Sequence, residues 1–252
     1  MVEYRPDRCR IPEMASQLWR MMNTGSKEWI HLTSDEIDRL DRNLPVVFPL
    51  GLIEAHGPHL AVSVDLDSAC FFARKATEAT GAILAPVVHY GFADEMAGYA
   101  GTLGLTATTF MQVITDLCLA LCKKGFRKLI FITGHGANKI PCELAFYRVW
   151  EQYPDFKGVC WNWWSDCGIQ GIHHADKGET EVALAVGTMA YMDRVKDFTV
   201  QKPWYKIRSR SELDPHSGGI NGKPSEADIE NGRVVIEQAT AALISKVKAA
   251  ME

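Results

Sequence analysis

The chain has no CxxC pair, no apolar run long enough to span a membrane, and no excess of basic charge. Each absence excludes a class. Its seven cysteines (Cys9, Cys70, Cys118, Cys122, Cys142, Cys160 and Cys167) are an odd number without paired spacing, which argues against a disulfide framework or a thiolate zinc ribbon. Cys118 and Cys122 stand four apart in an apolar helical pattern and read as small buried hydrophobes. A membrane span needs roughly 18–20 consecutive apolar residues, and the N-terminal "MVEYRPDRCRIPEM" is too charged for a secretory signal. A cytoplasmic location is therefore expected. The net charge of −4 advertises neither a nucleic acid nor an acidic membrane as partner. Neither GxxxxGK[ST] nor GxGxxG is present, which weighs against nucleotide binding. The absence of a G-x-S-x-G elbow disfavours a covalent acyl-enzyme.

What remains is an ordinary globular composition, 252 residues with 47% apolar and 23% charged, enough for a sizeable core. Strand and helix patterns alternate. Thr33 caps a short helix, Pro45–Ile53 reads as a strand, and Asp65–Gly81 reads as a helix stopped by its glycine. Strands follow at 82–88, 127–133 and 157–164, and helices at 106–125, 140–153 and 178–192. A polar irregular stretch runs to about 224, and a closing helix occupies 225–250. This order predicts an α/β fold, a mostly parallel central sheet in a three-layer α/β/α arrangement. In such sheets, sites lie beyond the carboxyl ends of the strands.

Three polar constellations stand at such ends. In "PLGLIEAHGPHLAVSVDLDSA", Glu54, His56, His59, Asp65 and Asp67 follow a strand that ought to be buried. Desolvating them is expensive unless something compensates, and a metal ion is one such compensator. An extended "IEAHG" projects Glu54 and His56 to one side. Asp65, with two carboxylate oxygens, is a candidate to be shared between two ions, while Asp67 reads as a helix cap. The second constellation, "ITGHGANK", places His135 between glycines after a strand. That turn either presents the imidazole or cradles a phosphate, and Asn138 either holds the loop or touches substrate. In the third, "HHADKGETEVALAV", Glu179 opens a helix, where the dipole favours an acid in any case, and His173 and His174 precede it. Histidine is the usual proton carrier near neutral pH.

Taken together, "EAHGPHLAVSVD", "GHGAN" and "HADKGET", with "YGFADEMAGYAGTLGL" and "GGINGKPSEADIENGR", resemble the creatininase (creatinine amidohydrolase) family over most of the chain. The resemblance implies a creatininase-like domain over 1–252, residues 1–28 being an N-terminal extension. It implies two divalent ions per chain, zinc, manganese or iron, with Glu54 and His135 on one, His56 on the other and Asp65 bridging. Creatininase itself carries a glutamate two residues after the GHG histidine, where Ala137 stands here, which argues against creatinine itself as substrate. Glu179 is left as the candidate for the missing ligand, or as an acid or base. The family's Y-G-x-S-x-E-H-x-x-F-P-G-T segment keeps Glu95 and Gly101 but carries Ala93, Met96 and Ala100, so the pocket is expected to be retuned. Trp163 or Trp164 is expected to wall it, and His173 to line it.

The resemblance also implies a homo-oligomer, often a hexamer, with the apolar "LWRMM" of the N-terminal extension available for a subunit contact. The expected reaction is attack of metal-activated water on the carbonyl of a small cyclic or amide substrate, with His174 shuttling the proton. Family activities include creatinine ring opening, deformylation of a pyrimidine nucleotide intermediate, peptide trimming and ring cleavage of 3-dehydro-scyllo-inosose. His89, Asp94, Glu95 and His173 make a cyclic keto-polyol the main alternative, and a non-catalytic metal-binding subunit is a third reading. Structural zinc shells are closed and usually thiolate-rich, whereas no cysteine lies in the three motifs.

Overall fold

Every residue of Val46–Leu50 is buried, as expected of a strand covered on both faces. The computed structural model describes residues 27–93, 95–200 and 217–252. In it this segment is β2 at the centre of a five-stranded sheet, joined by β1 (Lys27–Glu28), β3 (Ile83–Leu84), β4 (Lys128–Thr133) and β5 (Lys157–Asn162) in the order β1-β3-β2-β4-β5. All pairings are parallel, with Val46 opposite Leu129 and Phe131 opposite Cys160.

Alternation along the strands sorts the core into two layers. Val46, Phe48, Leu129 and Phe131 face helices α3 (Ala107–Lys123) and α4 (Lys139–Trp150). Phe48 and Phe131 stack there with ring centroids 4.7 Å apart. Val47, Ile130 and Ile132 face α2 (Val64–Thr80), α5 (Lys177–Val186) and α6 (Ile229–Met251). The sheet is thus the middle of three layers. Helix α1 (Ser34–Asp38) precedes β2 and opens on a full capping box, Thr33 with Glu36.

Several boundaries differ from expectation for local reasons. The strand expected over 82–88 pairs only at Ile83 and Leu84, because Pro86 has no N–H for a ladder; Val88 returns as a single bridge to Leu50. The helix expected to reach 192 stops at Val186, where Gly187 adopts φ 89°. The closing helix starts at Ile229, capped by Asp228, after a separate turn at Pro224–Glu226. β1 was not expected, two residues being too few for a periodic pattern. Cys118, Cys122, Cys142 and Cys160 are free thiols buried in the core, and burial pushes the Cys118 thiol far up. No helix among the described residues is long and apolar enough to cross a membrane. The "LWRMM" segment and Asp94 lie outside the described residues.

Candidate metal centre

Beyond the carboxyl end of β2 the chain leaves the sheet, and its backbone is held from three sides. Glu54 N–H donates to Val62 O (2.9 Å), Ala55 N–H to Thr102 Oγ1 (3.1 Å) and Gly57 N–H to Gly218 O (3.0 Å). This frame, rather than a continued ladder, turns Glu54 and His56 inward, where both are fully buried. Asp65 enters from the first turn of α2. The helix can approach because residue 134 is glycine: a Cβ there would lie 2.0 Å from Asp65 O. His135 follows β4 directly, its N–H donating to Thr133 Oγ1 (3.0 Å). Glu179 stands in the first turn of α5, whose N-cap Asp176 accepts from Glu179 N–H (2.9 Å) while Glu179 Oε2 accepts from Ala175 N–H.

The side chains from these four places converge. His135 Nδ1 lies 2.9 Å from Glu54 Oε2 and 3.5 Å from Asp65 Oδ2. His56 Nε2 lies 3.5 Å from Asp65 Oδ1 and 3.4 Å from Glu179 Oε2. Asp65 therefore turns one oxygen to each of two groups. Three sets of ligand atoms lie within 4.8 Å of one another: Glu54, Asp65 and His135; His56, Asp65 and Glu179; and Glu54, His56 and His174.

Four buried atoms of this cluster, Glu54 Oε1 and Oε2, His56 Nε2 and Asp65 Oδ2, lack a hydrogen-bond partner of proper geometry. Buried polar atoms are normally satisfied, so atoms that converge without bonding each other fit a common cation between them. The donors, imidazole nitrogen and carboxylate oxygen with no thiolate, suit zinc, manganese or iron.

Electrostatics follow from the same crowding. Burial pushes the Glu54 carboxyl up to about 8, only partly offset by His135. Burial opposes a charge on His56, yet Glu179 and Asp65 outweigh it and hold the imidazole well above its ordinary value. Asp65, despite burial, is held well below the carboxylate range by His56 and His135. Glu179 is likewise lowered, His56 overcoming the burial.

Two tautomers are fixed by carbonyl acceptors. His56 Nδ1–H donates to Glu54 O (3.1 Å), which turns Nε2 toward Asp65 and Glu179. His174 Nε2–H donates to Ala55 O (2.8 Å), which turns Nδ1 toward Glu54 Oε1, 3.8 Å away. Burial and the neighbouring His56, its ring centroid 4.2 Å away, pull His174 down to about 4. His59 is tied to α5 through Thr180 Oγ1 (3.1 Å).

A cavity of about 190 Å³ opens onto the cluster, lined by Glu54, Asp65, His135, His174 and Glu179 on one side and by Met96, Trp164, Ile172 and His173 on another. Trp164 and His173 thus line the cavity. Other expectations need correcting. Trp163, 1% exposed, stacks on Phe72 (5.1 Å) and belongs to the core. Asn138 is fully buried, Nδ2 donating to Gly51 O and Thr133 Oγ1 (3.2 Å each) and Oδ1 accepting from Phe92 N–H (2.8 Å), so it holds the loop. Gly101 forms a φ 93° turn against Val62, off this cavity. Asp67 is not a cap: Ser63 is the N-cap residue, and its hydroxyl donates to Asp67 Oδ2 (2.8 Å). Glu95 begins the Glu95–Gly98 turn, but its side chain lies outside what is described. Met96 lies in the segment where the pocket was expected to be retuned, whereas Ile172 went unforeseen as a cavity wall, since it carries no signal beyond being apolar.

The creatininase profile, described as creatinine amidohydrolase, matches residues 30–247. Creatinine amidohydrolase of Pseudomonas putida is 24% identical over 218 residues, covering 76% of this chain and 84% of that protein. Mycofactocin precursor peptide peptidase of Mycobacterium ulcerans is 30% identical over 151 residues, 56% of this chain and 58% of that protein. 3-Dehydro-scyllo-inosose hydrolase of Thermotoga maritima is 27% identical over 100 residues, 39% and 32%. Among solved structures, a creatininase crystal structure superposes with TM-score 0.80 at 21% identity, over 89% of this chain and 97% of that one. A mutant creatininase of Zn-Zn type and a creatininase Mn structure each reach 0.79 at 22% identity, over 89% and 98%. With its parallel α/β sheet, its strand-end cluster and a profile match spanning nearly the whole chain, this protein belongs to the creatininase family of hydrolases.

Proposed function

We propose that the chain is a two-metal hydrolase of a small polar cyclic or amide substrate, in which metal-activated water attacks a carbonyl. Glu54, Asp65 and His135 would hold one divalent ion and His56, Asp65 and Glu179 the second. Such ions, when bound, supply Lewis-acid polarisation and a nucleophile at neutral pH. The observation that carries the reading is Asp65, whose two oxygens face two separate ligand groups.

The chain's own residues account for the rest. His174 is neutral at pH 7, and with Nε2–H committed to Ala55 O it accepts and returns a proton through Nδ1, the atom turned to the cluster. Trp164, Ile172 and Met96 give the substrate an apolar wall, and among the described residues no lysine or arginine lines the cavity to pair an anionic substituent. A neutral, compact substrate suits this lining. The second reading, ring cleavage of a cyclic keto-polyol, is favoured by the exposed His173 at the cavity wall and by the likeness to the Thermotoga hydrolase. A non-catalytic subunit is disfavoured because a closed structural shell would not leave a cavity opening onto its ligands. The buried free thiols fit a reducing cytoplasm.

Purified protein loaded with Mn²⁺ or Zn²⁺ should hydrolyse a member of a panel of lactams, N-formyl amides and cyclic keto-polyols, and lose that activity on chelation. Turnover that persists in the chelated protein, or none with any member in protein carrying two ions, would contradict it.

A further inference from the structure

Two fully buried threonines, Thr133 and Thr180, stand beside the metal cluster without offering it a ligand, and each is bonded to a different half of it. A hydroxyl has one proton and two lone pairs, and Thr133 uses all three. Its Oγ1–H donates to His135 O (2.8 Å), and Oγ1 accepts from His135 N–H (3.0 Å) and from Asn138 Nδ2–H (3.2 Å). His135 lies past the last residue of β4 and before the Gly136–Asn138 turn, so this hydroxyl replaces the ladder in fixing both polar groups of its backbone. The imidazole inherits that placement. Gly134, on which Asp65 packs, is held separately, its N–H donating to Leu50 O (3.0 Å).

Thr180 directly follows Glu179 in α5. Its Oγ1 lies 3.1 Å from Nε2 of His59, which is also fully buried. His59 Nδ1 has no partner. A buried N–H without an acceptor is the rarer case, which places the proton on Nε2 and makes Thr180 Oγ1 the acceptor. His59 stands three residues after His56 on the loop that leaves β2. The bond therefore joins the loop carrying one ligand to the helix carrying another. The Thr180 N–H donates to Asp176 O (3.0 Å), so the helix keeps its own bond there without the hydroxyl.

We infer that the two ions are braced independently, Thr133 being the positioning residue for the ion of Glu54, Asp65 and His135, and Thr180 with His59 for the ion of His56, Asp65 and Glu179. This rests on the two-metal reading above. Neither hydroxyl bonds to Asp65, the shared ligand, so removing one hydroxyl weakens one ion and leaves the other in place.

The test is calorimetric titration of the chelator-stripped full chain with Mn²⁺ alone, joined to anomalous diffraction at limiting Mn²⁺, with folding checked by circular dichroism. The native chain should bind two ions. Thr133→Val should weaken one by the ~10–100-fold typical of a residue that orients a ligand, fading the peak among Glu54, Asp65 and His135. Thr180→Val should do the same to the peak among His56, Asp65 and Glu179. His59→Phe should match Thr180→Val, and the two combined should add nothing further. Thr133→Ser and Thr180→Ser, which keep the hydroxyl, should bind as the native chain does, and Thr133→Ala or Thr180→Ala replaces any valine variant that does not fold. Variants lacking the hydroxyl that weaken both ions alike or neither, or serine variants as weak as these, would overturn the inference alone. A native chain that binds fewer than two ions would overturn the two-metal reading and the inference with it.

Discussion

Two regions of this molecule are equally shielded from water and chemically opposite. Between the layers Phe131 and Leu129 are fully buried among other hydrocarbons. Beyond the carboxyl end of the neighbouring strand β2, Glu54 and His56, joined by Asp65 from α2, are just as buried, among each other. The first region gains free energy from dehydration; the second loses it, since buried carboxylates and imidazoles with unbonded atoms are costly. The apolar layers thus hold in place a cluster that would not assemble alone, and stability and function occupy separate ends of one sheet.

Substitutions at the two ends should have opposite signatures. The largest effect is expected at Asp65: Asp65→Asn should deplete both ions and abolish turnover, lowering metal affinity by more than the ~10–100-fold typical of a residue that only orients a ligand, as measured by elemental analysis of dialysed protein. His174→Gln should lower kcat by ~10²–10⁴ with metal content unchanged, read from steady-state kinetics beside the same elemental analysis. At the other end Phe131→Ala should destabilise by about 3–5 kcal/mol in urea titration while leaving kcat per folded molecule and metal content intact.

A smaller effect separates the regions by pH. In chelator-stripped protein Glu54 titrates at about 8 when folded against 4.5 as its reference, and His56 is also raised. The folded state then binds more protons than the unfolded one, so stability should fall as pH rises from about 4.5 to 8, by roughly 1 kcal/mol per unit from Glu54 and about as much again from His56 above about 6.5. Metal binding displaces those protons, so metal-loaded protein should lack this decline when thermal melts are compared across that range. Trp164→Ala should be the mildest, raising KM a few-fold through loss of about 1 kcal/mol of ring contact with little change in kcat.

The same contrast explains what was legible in the sequence. Apolar strands such as Val46–Leu50 and the capped helix at Thr106 announce themselves through periodicity and end signals. Glu54, His56, Asp65 and His135 were legible because polar residues after a buried strand break that pattern. What periodicity cannot give is direction at an irregular strand end. Trp163 and Trp164 are neighbours just past β5, and only the fold sends one to Phe72 and the other to the cavity. Asn138 looked as suited to a ligand as to a loop, because an amide serves both; its partners Gly51 and Phe92 are distant in sequence. The Lys139–Asp166 pair (2.7 Å), which ties the start of α4 to the turn after β5, was invisible for the same reason.

Anomalous diffraction from crystals of manganese-loaded protein tests the central claim most directly. Two peaks ~3.5–4 Å apart, one among Glu54, Asp65 and His135 and the other among His56, Asp65 and Glu179, are the expected result. A single ion in a closed shell, or none at Asp65, would contradict it.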